Sequence, residues 1–496
     1  MSENSFLPDT AAPVPLNPVV AGFYPDPSVC RAEGRYYLAN STFEYFPGLP
    51  VQVSDDLVSW TPIGHAVSAA DAVDFGSIED SKGLYAPTIR YHEGTFYIVC
   101  TLVGDGPDSG FIVTATDPAG PWSRPVWVHG ADGFDPSLLF HEGRAYWCAT
   151  RIVQPGDYPG QCEVWVREID VATGELLGAE TVIWQSALRD ATWSEAPHIF
   201  ERNGWFYLLT AEGGTFRDHA IVIARSRSLT GPYENCPRNP IFTHRHLGGE
   251  YPVQNVGHAD FVERSDGSWA AVLLAVRTID EQHILGRETF LAEVVWEEDW
   301  PVVNPGRGAI ADVGDRPLTE IVDPAVIGDA LAVRGPVDFA HETGEGILLR
   351  STGETVVGGG HPAALLYRLR HHDAEVAVTF GRIDADAVAG VLLRQSSRFS
   401  IRLELANGRA RVIRRQSGLD EIADEWLADG RDHHVIAQFS GSSVSFVVDG
   451  RVSAPVATDV LSTEVAGGFV GTVWGPYVEG HAGTATAFVR SLTYMA

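Results

Sequence analysis

The sequence predicts an all-β protein: a five-bladed β-propeller followed by a β-sandwich of the concanavalin or jelly-roll type. Three observations favour this fold class. A hairpin pattern recurs five times in roughly the first 300 residues, the recurrences are spaced by about the length of four strands, and the remainder alternates apolar and polar positions. Helical periodicity is missing over any useful length, which disfavours a parallel α/β sheet.

The five recurring stretches share one layout: an apolar strand, a short turn containing Gly, and a second strand rich in aromatic and β-branched residues. They are "DPSVCRAEGRYYLANST" from Asp26, "APTIRYHEGTFYIVCT" from Ala86, "DPSLLFHEGRAYWCAT" from Asp135, "APHIFERNGWFYLLTAEG" from Ala196 and "HADFVERSDGSWAAVLLAV" from His258. Their spacing of roughly 50 to 60 residues leaves room for four strands in each unit. Four-stranded units arranged around an axis are the blades of a propeller.

The repeat ends near residues 305–335, where Gly, Pro and Asp become dense and predict a linker. Beyond it, runs such as "AEVAVTFGR" and "SVSFVVDGRV" alternate apolar and polar residues, and "NG" and "DG" pairs are typical of hairpin turns. About ten such strands predict a β-sandwich. We therefore expect a catalytic propeller over residues 1–320 and a sandwich, packed on the propeller, over residues 321–496.

Composition narrows the class of function. The chain carries 35 Lys and Arg against 65 Asp and Glu, a formal net charge of -30. Such a surface repels phosphate backbones and anionic lipids, so nucleic-acid and membrane partners are disfavoured. The start, "MSENSFLPDTAAPVPLNP", shows no secretory signal, and the five cysteines lack paired spacing. We therefore expect a cytoplasmic protein with reduced thiols, and a homo-oligomer is compatible with the sequence.

The repeat also predicts a site. The first strand of each blade lines the central channel of a propeller, so equivalent positions of the five repeats converge on one axis. Those positions are Asp26, Ala86, Asp135, Ala196 and His258, and Glu195 directly precedes the fourth. We therefore expect three carboxyl groups and a histidine in one pocket.

Gathered carboxyl groups are typical of proton transfer or cation binding, because like charges raise one another's pKa. Cleavage of a glycosidic bond needs one carboxyl group that is protonated and one that is ionised. A third carboxylate nearby keeps the acid protonated. The alternative interpretation is that Asp26 and Asp135 only cap turns through Asp-Pro geometry.

At this point the sequence resembles glycoside hydrolase family 43, in particular its β-xylosidase and α-L-arabinofuranosidase branch with a C-terminal β-sandwich. The matching segments run along nearly the whole chain. They are "NPVVAGFYPDPSVCR", "STFEYFPGLPVQVSDDLVSW", "LYAPTIRYHEGTFY", "DPSLLF", "APHIF", "AEGGT", "GHADFVE", "LGRETFLAEVVW" and, in the sandwich, "STEVAGGFVG".

The resemblance implies an inverting, exo-acting mechanism that removes terminal D-xylose from the non-reducing end of β-1,4-xylo-oligosaccharides. It implies Asp26 as general base, Glu195 as general acid, and Asp135 as the group that tunes and orients the acid. An α-L-arabinofuranosidase, or an enzyme with both activities, is the alternative, and a non-catalytic sugar-binding propeller is the remote one.

The resemblance also implies residues that bind the sugar. Arg287 would bind the hydroxyls of the terminal sugar, with a surface ion pair to Glu288 as the alternative. Phe43 would wall the subsite, with plain core packing as its alternative, and Thr215 would make a weaker contact. Tyr85 stands where some xylosidases of the family carry tryptophan.

The resemblance leaves two features with alternatives. His258 would contact the substrate or, as in some members, help to hold a central calcium through water, or be purely structural; no cofactor is required, and one imidazole does not predict calcium. The "GGFVG" loop around Phe469 would enter the pocket, unless the sandwich is an independent carbohydrate-binding module. The pairs His244 with His246 and His371 with His372 lack ligand partners at useful spacing, and we expect them to be solvated.

Overall fold

The computed structural model describes residues 17–496, apart from residues 71, 77, 105–108, 311–312, 315–318, 323–327, 329 and 431. Nearly all regular structure in the described residues is β-strand. The two helical segments there are the single turns Asp459–Leu461 and Thr463–Ala466, and neither is long and apolar enough to cross a membrane. The predicted all-β class is confirmed.

Five antiparallel sheets follow one another along the first part of the described chain. Blade one is Ser28–Ala32, Arg35–Ala39, Gly48–Ser54 and Thr61–Val67. Blade two is Gly83–Leu84, Thr88–His92, Thr95–Val103, Ser109–Ala115 and Val126–Val128. Blade three is Phe134–His141, Arg144–Ile152, Cys162–Asp170 and Glu175–Trp184. Blade four is Glu195–Arg202, Trp205–Glu212, Ala220–Ser226 and Glu234–Asn235. Blade five is Val253–Glu263, Trp269–Arg277, Glu288–Glu297 and Trp300–Val303.

The blades form a closed ring. Each inner strand contacts the inner strands of the blades before and after it, and blade one contacts both blade two and blade five. Val20 closes the ring by bridging Thr289 in the third strand of blade five. A hydrophobic cluster fills each interface between neighbouring blades. Burial of these apolar faces between blades is what stabilises the ring.

The rest of the described chain folds into two facing sheets and one small strand pair. The first sheet contains Thr319–Val322, Ala340–Thr343, Gly346–Arg350, Ala374–Ile383, His433–Ser440, Ser443–Val448, Arg451–Val452, Val456–Ala457 and Thr486–Met495. The second contains Tyr367–Arg368, Val388–Arg394, Ser400–Ala406, Arg409–Gln416, Leu419–Leu427 and Val473–Glu479. The small pair joins Tyr45–Phe46 of the propeller to Ala332–Val333. One apolar cluster fills the space between the two sheets, as in a sandwich.

The domain boundary between residues 320 and 321 stays a prediction, and part of the predicted linker lies outside the described residues. Strand Thr319–Val322, which straddles that boundary, pairs with the last strand of the sandwich, Thr486–Met495.

The sandwich and the propeller share a set of charged residues, which we name the interdomain ion cluster: Glu44, Arg334 and Arg394 are buried and Asp80 is partly buried. Asp80 Oδ1 accepts hydrogen bonds from Arg394 at 2.7 Å and from Arg334 at 2.8 Å. Its other oxygen accepts from the backbone N–H of Ser397 at 2.8 Å and from the Ser397 hydroxyl at 2.6 Å. These contacts attach the loop before blade two to the sandwich.

Candidate active site

All nine residues predicted for the site line one small cavity of about 60 Å³ on the propeller axis. They are Asp26, Phe43, Tyr85, Asp135, Glu195, Thr215, His258, Arg287 and Phe469, and Ala86, Phe134 and His219 complete the lining. Four of the five repeat positions therefore converge, with Glu195 in place of Ala196, although the chain spreads them over more than two hundred residues.

The backbone explains how equivalent positions of different blades present their side chains. Asp26, Asp135, Ala196 and His258 have φ angles of 52°, 51°, 55° and 42°. Non-glycine residues seldom adopt this left-handed conformation, which persists where the surrounding structure over-determines it, often at functional sites. In blade four alanine occupies the strained position, and the carboxyl group comes from Glu195, one residue earlier.

Asp26 is held on both oxygens. The Arg287 guanidinium donates to Oδ1 at 2.8 Å and to Oδ2 at 3.2 Å, and the Ser41 hydroxyl donates to Oδ2. His258 Nδ1 lies 3.4 Å from Oδ1. The hydrogen bonds to arginine and serine exceed what capping a turn requires, so the turn-cap interpretation does not account for Asp26.

Asp135 and Glu195 supply the other two carboxyl groups of the cavity. Burial, followed by the charge of Asp26, raises the pKa of Asp135 to about 8. Burial and then the charges of Asp135 and Asp26 raise the pKa of Glu195 well above its usual range, against the charge of Arg287. Asp135 Oδ2 accepts the Ala196 N–H at 3.2 Å, which favours its charged form. Both carboxyl groups therefore keep a proton to a higher pH than a carboxyl group in water does.

Arg287 joins the two domains at the cavity. Besides Asp26, it donates to Thr215 Oγ1 at 3.2 Å and to the backbone oxygen of Phe469 at 3.3 Å. The alternative of an ion pair with Glu288 does not hold, because Glu288 pairs with Arg277 at 2.7 Å.

Three aromatic rings form one wall. Phe43 lies 5.8 Å from Phe469 in a stacked pair and 5.2 Å from Tyr85 in an edge-on pair. Phe43 is fully buried and belongs to the apolar cluster between the domains, so it both packs and lines the cavity. Phe469 comes from the sandwich, and its N–H donates to Ser81 Oγ at 3.1 Å, next to the interdomain ion cluster. The sandwich thus supplies part of the pocket wall.

Two residues that line the cavity, His219 and Phe134, were not predicted from the sequence. His219 stands at the start of the third strand of blade four, and its Nδ1 contacts the Asn255 oxygen at 3.0 Å. Burial lowers the pKa of His219 to about 3, so the ring is neutral and its Nε2, which has no partner within the described residues, can accept a hydrogen bond. Gly257 makes room for it, since a Cβ there would lie 2.3 Å from the ring. Phe134 directly precedes Asp135, and that adjacency was the available signal.

His258 is neutral as well, because burial lowers its pKa to about 4. The prediction of solvated histidine pairs was wrong for three of four residues. His244, His371 and His372 are buried, and His246 is exposed. His244 accepts the Ile310 N–H at 2.9 Å, and His371 contacts the Tyr494 hydroxyl at 3.0 Å, so distant backbone and side-chain partners account for their burial.

The axis beside His258 does not fit calcium. Arg90 Nη1 lies 2.8 Å from Asp260 Oδ2, and Arg90 Nη2 lies 3.1 Å from His198 Nδ1. A guanidinium thus already neutralises the Asp260 carboxylate, whereas calcium takes six to eight oxygen ligands. Within the described part of the chain, no group of three or more His, Cys, Asp or Glu is placed to hold a metal ion.

Comparison with known proteins matches both parts of the chain to one family. The family model "Glycosyl hydrolases family 43" matches residues 15–301, and "Beta xylosidase C-terminal Concanavalin A-like domain" matches residues 341–494. A "Xylosidase/arabinosidase" from Butyrivibrio fibrisolvens is 36% identical over 501 residues, with 95% of this chain and 96% of the relative covered. The "Non-reducing end alpha-L-arabinofuranosidase BoGH43B" of Bacteroides ovatus is 35% identical, with 94% and 91% covered.

A solved structure agrees over its full length. The "xylan beta-1,4-xylosidase from Bacillus Halodurans C-125" superimposes with a TM-score of 0.89 at 26% identity, covering 97% of this chain and 100% of that one. Both domains of the chain are therefore matched, and in the same order. The chain belongs to glycosyl hydrolase family 43 and is a glycosidase of the xylosidase and arabinosidase type.

Proposed function

We propose that the protein is an inverting, exo-acting glycoside hydrolase that releases terminal D-xylose from the non-reducing end of β-1,4-xylo-oligosaccharides. The observation that carries the proposal is the meeting of three carboxyl groups in one cavity whose other wall is aromatic. A binding protein has no need of three such groups, because their mutual repulsion costs free energy. The rings of Phe43, Tyr85 and Phe469 suit the apolar C–H face of a pyranose.

In the proposed mechanism Asp26 takes a proton from water as the water oxygen bonds to the anomeric carbon. Arg287 and Ser41 fix both oxygens of Asp26, which aims the base. Glu195 gives its proton to the leaving oxygen as the glycosidic bond breaks, so the products are a free sugar and an alcohol. Asp135 lies close enough to Glu195 to raise its pKa, which keeps the acid protonated.

The sign of the pH dependence follows from these roles. Glu195 is active while protonated, so kcat/KM falls as the pH rises through its raised pKa. The acidic limb belongs to the base, and the profile is bell-shaped. An exo mode of action is supported by the loop of Phe469, which covers one side of the cavity.

An α-L-arabinofuranosidase, or an enzyme with both activities, is the second candidate. It is favoured by the relatives, one of which is named for both sugars and another for arabinofuranose. Both sugars present similar hydroxyl arrangements to Arg287 and His258, so the same pocket is compatible with either.

Proton NMR of the hydrolysis of xylobiose in D2O tests the proposal. We expect α-xylose to appear first and to mutarotate afterwards, which is inversion. If β-xylose appears first, the mechanism is retaining. Parallel assays on arabino-oligosaccharides and on both 4-nitrophenyl glycosides rank the two sugars. Release of arabinose alone would establish the second candidate, and hydrolysis of none of them would exclude both.

A further inference from the structure

A second cavity of about 410 Å³ adjoins the first beyond Glu195. The two cavities share Tyr85, Phe134, Glu195, Thr215 and Phe469. The remaining lining residues are Lys82, Val103, Ile152, Thr192, Trp193, Gly213, Gly214 and Phe216. Because Glu195 protonates the leaving oxygen in the proposed mechanism, the departing part of the substrate has to lie on this side.

The walls of this second cavity are unusually apolar for a solvent-facing site. Ile152, Trp193 and Phe216 are 41%, 38% and 54% exposed, and all three face it. A cluster of large apolar side chains at a protein surface often marks a binding site. Val103 and Phe134 extend the same surface.

Trp193 is held in place at a conformational cost. Its φ is 54°, a left-handed conformation that is rare for a bulky residue, and its N–H donates to the Gly160 oxygen at 2.7 Å. The indole lies against two glycines: a Cβ on Gly160 would be 3.0 Å from Nε1, and one on Gly214 would be 3.1 Å from Cδ1. An exposed aromatic ring that is held by a strained backbone and packs against two glycines indicates a surface for binding a ligand.

Polar groups are few in the same walls. Four described lining side chains carry a charged or aliphatic polar group: Lys82, Thr192, Glu195 and Thr215. The indole of Trp193 and the phenol of Tyr85 add one polar atom each. Thr215 Oγ1 already accepts a hydrogen bond from Arg287. A sugar in the leaving position presents several hydroxyl groups, and each one removed from water without a partner costs free energy. An aromatic ring carries no such cost.

We propose that the second cavity binds apolar, aromatic aglycones, so that arylalkyl glycosides of the terminal sugar are a further substrate class of this enzyme. The inference rests on the proposed function, since it uses the same acid and base. Water still supplies the oxygen that bonds to the anomeric carbon, and the aglycone departs as an alcohol with the proton of Glu195.

The test compares benzyl and methyl glycosides of whichever of the two sugars the enzyme hydrolyses. Both leave as aliphatic alcohols of similar acidity, so the ratio of their kcat/KM values reports binding of the ring rather than leaving-group chemistry. We expect the benzyl glycoside to be favoured about tenfold, from burial of the phenyl surface. Trp193→Ala and Phe216→Ala should each move this ratio towards one.

Leu419→Ala is the matched control, since Leu419 is an apolar residue of the sandwich that is 77% exposed and does not line either cavity. It should keep the ratio of the unaltered enzyme. A benzyl-to-methyl ratio near one in the unaltered enzyme overturns the proposal. So does a ratio that stays unchanged in both variants, because the phenyl ring would then bind outside the second cavity. If the unaltered enzyme hydrolyses neither sugar's glycosides, the proposed function itself fails.

Discussion

The candidate active-site cavity and the interdomain ion cluster both place carboxyl groups beside arginine, and they differ in the ratio of arginines to carboxyl groups. The cavity sets one arginine, Arg287, against three carboxyl groups, and the pKa values of Asp135 and Glu195 are raised. The interdomain ion cluster sets Arg334 and Arg394 against two.

The second arginine changes the outcome for Asp80. Burial alone would raise its pKa, but Arg394, the hydrogen bonds from Ser397 and Arg334 bring it below the usual range. Glu44, which is further from the guanidinium groups, keeps a pKa raised to about 7 by burial and by the charge of Asp80. The comparison teaches that the number of neighbouring arginines, and not burial alone, decides which carboxyl groups of this protein have a raised pKa.

The largest expected effect tests the proton on Glu195. Glu195→Gln should lower kcat/KM for methyl β-xyloside by about 10³-fold, because general acid catalysis contributes on the order of 10²–10⁴. The loss should be at least about tenfold smaller for 4-nitrophenyl β-xyloside, whose leaving group departs without a proton. Asp26→Asn should slow both substrates alike, since both require the base. Steady-state kinetics on the two substrates measures this.

Glu479→Gln is the control for that pair of variants, because Glu479 is a half-buried glutamate of the sandwich with a raised pKa and lies outside the cavity. It should keep the activity of the unaltered enzyme. Equal losses on both substrates in Glu195→Gln would show that Glu195 is not the acid.

The next effect tests the interdomain ion cluster. Arg394→Met removes a fully buried guanidinium and leaves Asp80 and Glu44 with fewer positive partners, so we expect the free energy of unfolding to fall by about 3 kcal/mol. Urea denaturation followed by tryptophan fluorescence measures it. Arg382→Met is the control, because Arg382 pairs with Asp384 at the surface and is 86% exposed. A loss no larger than in the control would mean that the interdomain ion cluster adds little stability.

The smallest effect concerns Glu44 and the pH. In the unfolded chain glutamate titrates near 4.5, and in the folded protein the pKa of Glu44 is raised to about 7. The stability that its protonated form contributes is therefore complete below pH 4.5 and is lost as the pH rises through 7. The free energy of unfolding of Glu44→Gln does not fall in this way. Relative to the unaltered protein, it should therefore rise by on the order of 2 kcal/mol between pH 5 and 8. Parallel stability curves over that range would contradict the raised pKa.

Much of the candidate active site could be predicted because a repeat encodes it. Asp26 and Asp135 occupy the same place in two blades, so the ring of blades alone is enough to bring them together. The partner of Asp26 could not be found in that way, since Arg287 lies in the loop before the third strand of blade five, outside the repeated segment. The family resemblance supplied it, and the structure added its contact with Asp26.

The interdomain ion cluster carries no sequence signal at all. Glu44, Asp80, Arg334 and Arg394 stand in four unrelated segments, and nothing in their spacing relates them. The prediction that the histidine pairs are solvated failed for the same physical reason. The hydrogen-bond partner of His244, the N–H of Ile310, lies 66 residues away in the sequence. A cytoplasmic location and a homo-oligomer stay predictions from the sequence.

The position of Phe469 has a consequence for how this enzyme can be altered. A loop of one domain forms part of the wall of a cavity whose reactive groups belong to the other, and it also accepts a hydrogen bond from Arg287 through its backbone. Changes in the sandwich can therefore reshape the choice of sugar while every acid and base stays in place. An engineer who wishes to retune this glycosidase has a starting point outside the catalytic domain.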